Sequence, residues 1–192
     1  IFFAKDRRTS WSAVVATLVL AMAGYAMQGQ PSMASAATKP QEQNDRAVEA
    51  LIAMRADMDY QFTGSKQWLL LSDSFARQGK YGMAAAFLQS SLRKSPRNGD
   101  LWAGLGLVLM LAGEGELSPP ARLAFANTRK LAPNHPAPDY FEGLNQLLKG
   151  DAQKTLATWK TLAERAPKGA KWKPKLESQV DGLAAMIAQS DG

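Results

Sequence analysis

Trp68-Leu69-Leu70-Leu71-Ser72-Asp73-Ser74-Phe75 is answered 34 residues later by Trp102-Ala103-Gly104-Leu105-Gly106-Leu107-Val108-Leu109. Both octads read Trp-x-x-Leu-small-x-x-large, which sets bulky residues and one small residue along one side of a helix. A second half follows each octad: Ala84, Leu88, Ser91 and Pro96 after the first, Ala121, Phe125, Thr128 and Pro133 after the second. These later positions lie 37 residues apart, so three residues are inserted between the paired helices, within residues 113–120. The small residues (Ser72 with Ala84, Gly106 with Ala121) let two helices approach closely. Large residues fill the groove between them, and the proline ends the second helix.

A third unit continues the series with Gly143, Trp159, Leu162 and Pro167, although Asp139 stands where the tryptophan belongs. Paired helices at a period near 34 residues are the signature of the tetratricopeptide repeat. The predicted fold is therefore all-α, a tetratricopeptide helix-hairpin solenoid over residues 44–189, with repeats at about 65–98, 99–135 and 136–169. Local punctuation agrees. Gly79 and Gly150 suit the turns after helices, Pro119-Pro120 suits a first turn, and Asp100 and Asp151 are expected N-caps. Helices are predicted at 67–78, 81–94, 100–112, 119–131, 137–149 and 152–165. A leading helix at 42–61 carries the stripe Val48, Leu51, Ile52, Met58 and Phe62; a last one at 173–189 carries Leu176, Val180, Leu183, Ala184 and Ile187. Both are expected to cover the exposed apolar faces of the outermost repeats.

Upstream, residues 11–27 (WSAVVATLVLAMAGYAM) carry no charge and follow Lys5, Arg7 and Arg8. As a helix they reach about 25 Å, close to the hydrocarbon thickness of a bilayer. The expectation is an N-terminal transmembrane helix over 1–28, with its basic flank cytoplasmic and the repeats across the membrane. A cleaved signal peptide is the alternative, since Ala34-Ser35-Ala36 has the form of a cleavage site; either exports the repeats. Residues 29–43, rich in Gly, Pro, Ser and Gln, read as a linker.

The formal net charge is +6, but the cations are scattered and read as a solvated face, so no nucleic-acid partner is expected. The absence of cysteine excludes disulfides, cysteine-ligated metals and thiol catalysis. No cofactor, metal or enzymatic activity is expected. His135 is the sole histidine and has no second ligand at metal-binding spacing. Ser72 and Ser74 lack a base, Glu114 and Glu116 sit in a Gly-rich turn, and Gly104-x-Gly106 lies inside a helix rather than after a strand.

Binding is the function that remains. In such arrays the first helix of each unit lines an inner face. The positions placed there are Lys66, Leu69, Asp73, Ala76 and Arg77; Asp100, Ala103, Leu107, Met110 and Leu111; Ala137, Tyr140, Leu144, Leu147 and Leu148. They predict a peptide-binding groove, polar at one end and apolar at the other, suited to an amphipathic helix. Lys66 and Arg77 are expected to meet carboxylates of a partner. The competing expectation is that the chain's own last helix covers the leucines.

The run Leu131-Ala132-Pro133-Asn134-His135-Pro136, continuing through Gly143 to Trp159, together with the order lone helix, hairpins and final helix, resembles the CcmI/CycH/NrfG family of cytochrome c maturation proteins. The resemblance spans roughly residues 44–189. It implies a single-pass inner-membrane protein with a periplasmic tetratricopeptide domain, acting as a chaperone for apocytochrome c. The carboxy-terminal segment of the client would be held while haem lyase components attach haem at a CxxCH site. Longer family members have two spans and a cytoplasmic loop; one candidate span here is nearer the short NrfG-like arrangement. The alternative function is a structural scaffold subunit of a membrane or envelope complex.

Overall fold

Close helix approach is where the repeat pattern meets its first physical test. In the computed structural model, which describes residues 40–59 and 64–190, a Cβ added to Gly106 would lie 2.5 Å from the Phe125 ring. One added to Gly143 would run into the Trp159 indole. Ser72 donates its hydroxyl to the Ala84 carbonyl at 3.4 Å, and Thr155 donates to the Gly143 carbonyl at 3.0 Å. The small residues of the pattern are thus the points where two helices nearly touch.

The described residues form eight helices and no strand: α1 (Pro40–Met58), α2 (Lys66–Arg77), α3 (Tyr81–Lys94), α4 (Gly99–Ala112), α5 (Pro119–Leu131), α6 (Ala137–Leu148), α7 (Ala152–Glu164) and α8 (Lys173–Ser190). Three hairpins, α2/α3, α4/α5 and α6/α7, stack in order, with α3 against α4 and α5 against α6. This all-helical arrangement is consistent with a tetratricopeptide-like repeat. Gly79 and Gly150 take positive φ (70° and 86°) after α2 and α6, the conformation that lets a helix end in a tight turn. Asp151 caps α7 by accepting from the Lys154 amide at 3.1 Å, as expected.

Three expectations need correction. The cap of α4 is Asn98, which accepts from the Leu101 amide at 3.1 Å, and not Asp100, which is wholly buried. The last residues of the predicted linker, 40–43, already belong to α1, because Pro40 suits a helix start. The leading helix ends at Met58 rather than 61. Phe62, the transmembrane segment at 1–28 and residues 29–39 lie outside the described residues. Among the described residues, no helix is long and apolar enough to cross a membrane.

The two flanking helices play different parts. α8 stacks on α7 and buries Leu176, Val180 and Leu183, closing the end of the array as expected. α1 does not close the other end. It packs on α2 and α4, the first helices of two hairpins, and so lies along the inner face of the stack. Val48, Leu51, Ile52, Met54 and Met58 are each 6% exposed or less in that position. The end that α1 leaves uncovered shows Leu71 and Met83, which are 44% and 54% exposed.

Candidate functional site

The inner face was expected to be the binding surface, and its residues are indeed brought together by α2, α4 and α6. They are not open. Leu69, Leu107, Met110, Tyr140 and Leu144 are at most 2% exposed, Leu147 is 9% exposed, and Leu111 and Leu148 are half-buried. The element over the α2 and α4 part of this face is α1, not the last helix. Tyr140 turns toward its hairpin partner and stacks on Trp159 with ring centroids 5.3 Å apart. Only Lys66 and Arg77 among the predicted groove residues are exposed.

Charge explains how α1 is held in register. Arg55 of α1 is 1% exposed and donates to Asp73 of α2 at 2.7 Å and to Asp59 at 2.6 Å. Arg77, expected to await a partner's carboxylate, already donates to Glu49 of α1 at 2.5 Å. That bond holds the Glu49 carboxyl below its ordinary range. Burial acts oppositely on the other two acids. It pushes Asp59 up to about 7 and raises Asp73, with the Arg55 guanidinium opposing the rise in both. Sequence reading missed Arg55. The signal was present: it falls four residues after Leu51 and three after Ile52, on the apolar stripe itself.

At the far end of α1, Asp59, Asp100 and His135 gather within 4.8 Å of one another. Their hydrogen bonds resemble a clasp rather than a metal cage. The Ala137 amide donates to His135 Nδ1 at 3.2 Å, so the ring carries its proton on Nε2, 3.3 Å from Asp100 Oδ1. A metal at Nε2 would need that proton moved to Nδ1, where the Ala137 N–H already points. Asp100 also accepts from the Ser65 hydroxyl at 3.3 Å. His135 is therefore a buried joint between successive hairpins. The missing tryptophan of the third repeat finds a parallel explanation. Asp139 and Glu142 of α6 receive Arg129 of α5 at 2.6 and 2.7 Å, and Asp139 also pairs with Arg165.

A second surface is open. Between α3 and α5, over α4, runs an apolar cleft of about 380 Å³. Trp102, Leu105 and Leu109 form its floor, Leu92 one wall, and Pro120 and Leu123 the other. Leu123 is 62% exposed, and Gln89 and Arg93 stand at the rim. Trp102 is half-buried here, with its indole N–H given to the Pro96 carbonyl at 2.8 Å. Trp159, by contrast, is a fully buried core residue.

No protein-family model matches the chain. A curated protein, the cytochrome c-type biogenesis protein CycH of Bradyrhizobium diazoefficiens, is 25% identical over 131 residues. That alignment covers 67% of this chain and 36% of CycH, so the chain spans about a third of its relative's length. The chain is thus similar to a protein of cytochrome c biogenesis.

Proposed function

We propose that this chain is a polypeptide-binding factor in cytochrome c maturation, holding the carboxy-terminal segment of an apocytochrome c while haem lyase components act on it. The observation that carries the reading is the similarity to CycH over 131 residues, in a chain whose described residues form a stack of helical hairpins. In this reading residues 11–27 anchor the chain in the inner membrane and the tetratricopeptide-type hairpins work in the periplasm. Its inner face is core, braced by α1, and the client is met on an outer surface.

The reading is tested by retrieving the full chain from solubilised membranes, with haem staining and peptide mapping of what it retains. Unhaemylated cytochrome, mapped to its carboxy-terminal peptides, is the expected result. A constant set of membrane proteins at fixed ratio, with no cytochrome among them, would replace this function with that of a scaffold subunit.

A further inference from the structure

We propose that the cleft between α3 and α5 is a docking site for an acidic amphipathic helix of a partner polypeptide. Its floor and walls are chiefly apolar, and it opens to solvent beside Leu123, which is 62% exposed. A small ligand would need most of its surface enclosed. A groove bounded by helices and open on one side instead takes the ridge of side chains that a helix presents at i, i+3, i+4 and i+7.

Charge selects the kind of helix. The helices that build the cleft, α3, α4 and α5, carry one carboxylate between them, Asp100, and that residue is 0% exposed. Against it stand Arg93, Lys94, Arg122, Arg129 and Lys130. Arg129 is engaged by Asp139 and Glu142, whereas Arg93, Lys94, Arg122 and Lys130 have no ion-pair partner among the described residues. The exposed charges on these three helices are thus all cations, while the exposed carboxylates of Glu114 and Glu116 are confined to the α4–α5 turn. Glutamate or aspartate flanking an apolar stripe complements both features, steering the encounter and fixing its orientation. An anionic membrane would satisfy the cations but not the recess. Leu105, on the floor, is 5% exposed, out of reach of a flat surface.

This inference deepens the proposed function and rests on it only for the partner's being a polypeptide. The probe is a synthetic amphipathic helix with leucines on one stripe and glutamates beside it, titrated against the full chain. A charge-reversed version with lysines and vesicles of anionic phospholipid serve as the comparison probes. Leu123→Glu and Arg93→Glu alter exposed cleft positions, and Met83→Glu alters an exposed residue of α3 outside the cleft.

The expected result is binding of the glutamate peptide that weakens at least about tenfold in each cleft variant and not in Met83→Glu. Salt should weaken it, and the lysine peptide should bind at least about tenfold less tightly. Equal binding by Leu123→Glu overturns the site, as does capture of vesicles in place of the peptide. Retention of an apocytochrome tail by the cleft variants as firmly as by the parent leaves the proposed function standing and removes the cleft from it. Cleft-dependent binding of the peptide, with no cytochrome tail held by any form, keeps the site and overturns the cytochrome reading.

Discussion

One methyl group separates Gly106 from alanine, and the wholly buried Phe125 ring occupies the space it would need. Gly106→Ala should therefore destabilise the chain by about 1–3 kcal/mol through overpacking. Gly182→Ala in α8, where a Cβ meets nothing within 4 Å, should stabilise it by up to about 1 kcal/mol by removing helix-interior glycine. Urea unfolding of both variants measures the contrast, and equal effects would mean that close approach is not what the pattern encodes. Gly106 was legible because a small residue at a fixed place in a repeat has few other uses. Asp59 was not, since an apolar stripe shows that a face is buried without naming the polar groups buried beside it. Asp59 makes that concealed chemistry measurable. Its folded-state pKa, about 7, stands above the ordinary 3.8, chiefly through burial. Its contribution to stability is thus fully present below about pH 3.8 and is lost as the pH rises to about 7. Asp59→Asn removes that loss, so the stability difference between variant and parent should move in the variant's favour from pH 4 to 8, read by urea unfolding at each pH. A difference that stays flat would show that Asp59 ionises without cost.

At the level of the helix, α1 and α4 carry the most instruction. The α4 sequence Gly99–Ala112 is apolar on nearly every side, and the structure surrounds it with α1, α2, α3, α5 and α6. An all-round apolar helix has no solvent face to offer, so its central place was readable. The helix ends were readable too, because glycine and proline restrict the backbone locally. What α1 packs against was not readable, since amphipathicity gives a direction and not a neighbour. Its large buried residues Val48, Leu51, Ile52, Met54 and Met58 contribute roughly 8–15 kcal/mol at 1.5–3 kcal/mol each, an upper bound comparable with the stability of a whole domain. A fragment beginning at residue 64 should then lose cooperative unfolding and expose the apolar inner face, seen as a broadened thermal transition and dye binding. A sharp transition at the parent's temperature would make α1 an accessory. The same arithmetic explains why the predicted groove of Leu69, Leu107 and Met110 is closed in the structure. Displacing α1 would cost a client nearly as much as unfolding its holder.

For the molecule as a whole, the order of hairpins followed from the 34-residue spacing, because each hairpin buries its face only against its neighbours in sequence. The open cleft did not follow from it. Trp102 and Leu109 occupy repeat positions that read as core, and only the three-dimensional separation of α3 and α5 leaves them partly accessible above the buried Leu105. A simple stack frays from both ends, yet here one end is braced from within. Amide hydrogen exchange should be slowest in α4, comparably slow across residues 47–58 of α1, and fastest over residues 184–190, where most side chains are exposed. Early exchange throughout α1 would contradict the brace. The placement of α1 also bears on how the chain is made. A ribosome delivers α1 before the surfaces that shelter it, and its last companion, α4, is complete only at Ala112. Until then the growing polypeptide carries a greasy strip with nowhere to dock, so the first of the described helices is the one whose burial must wait.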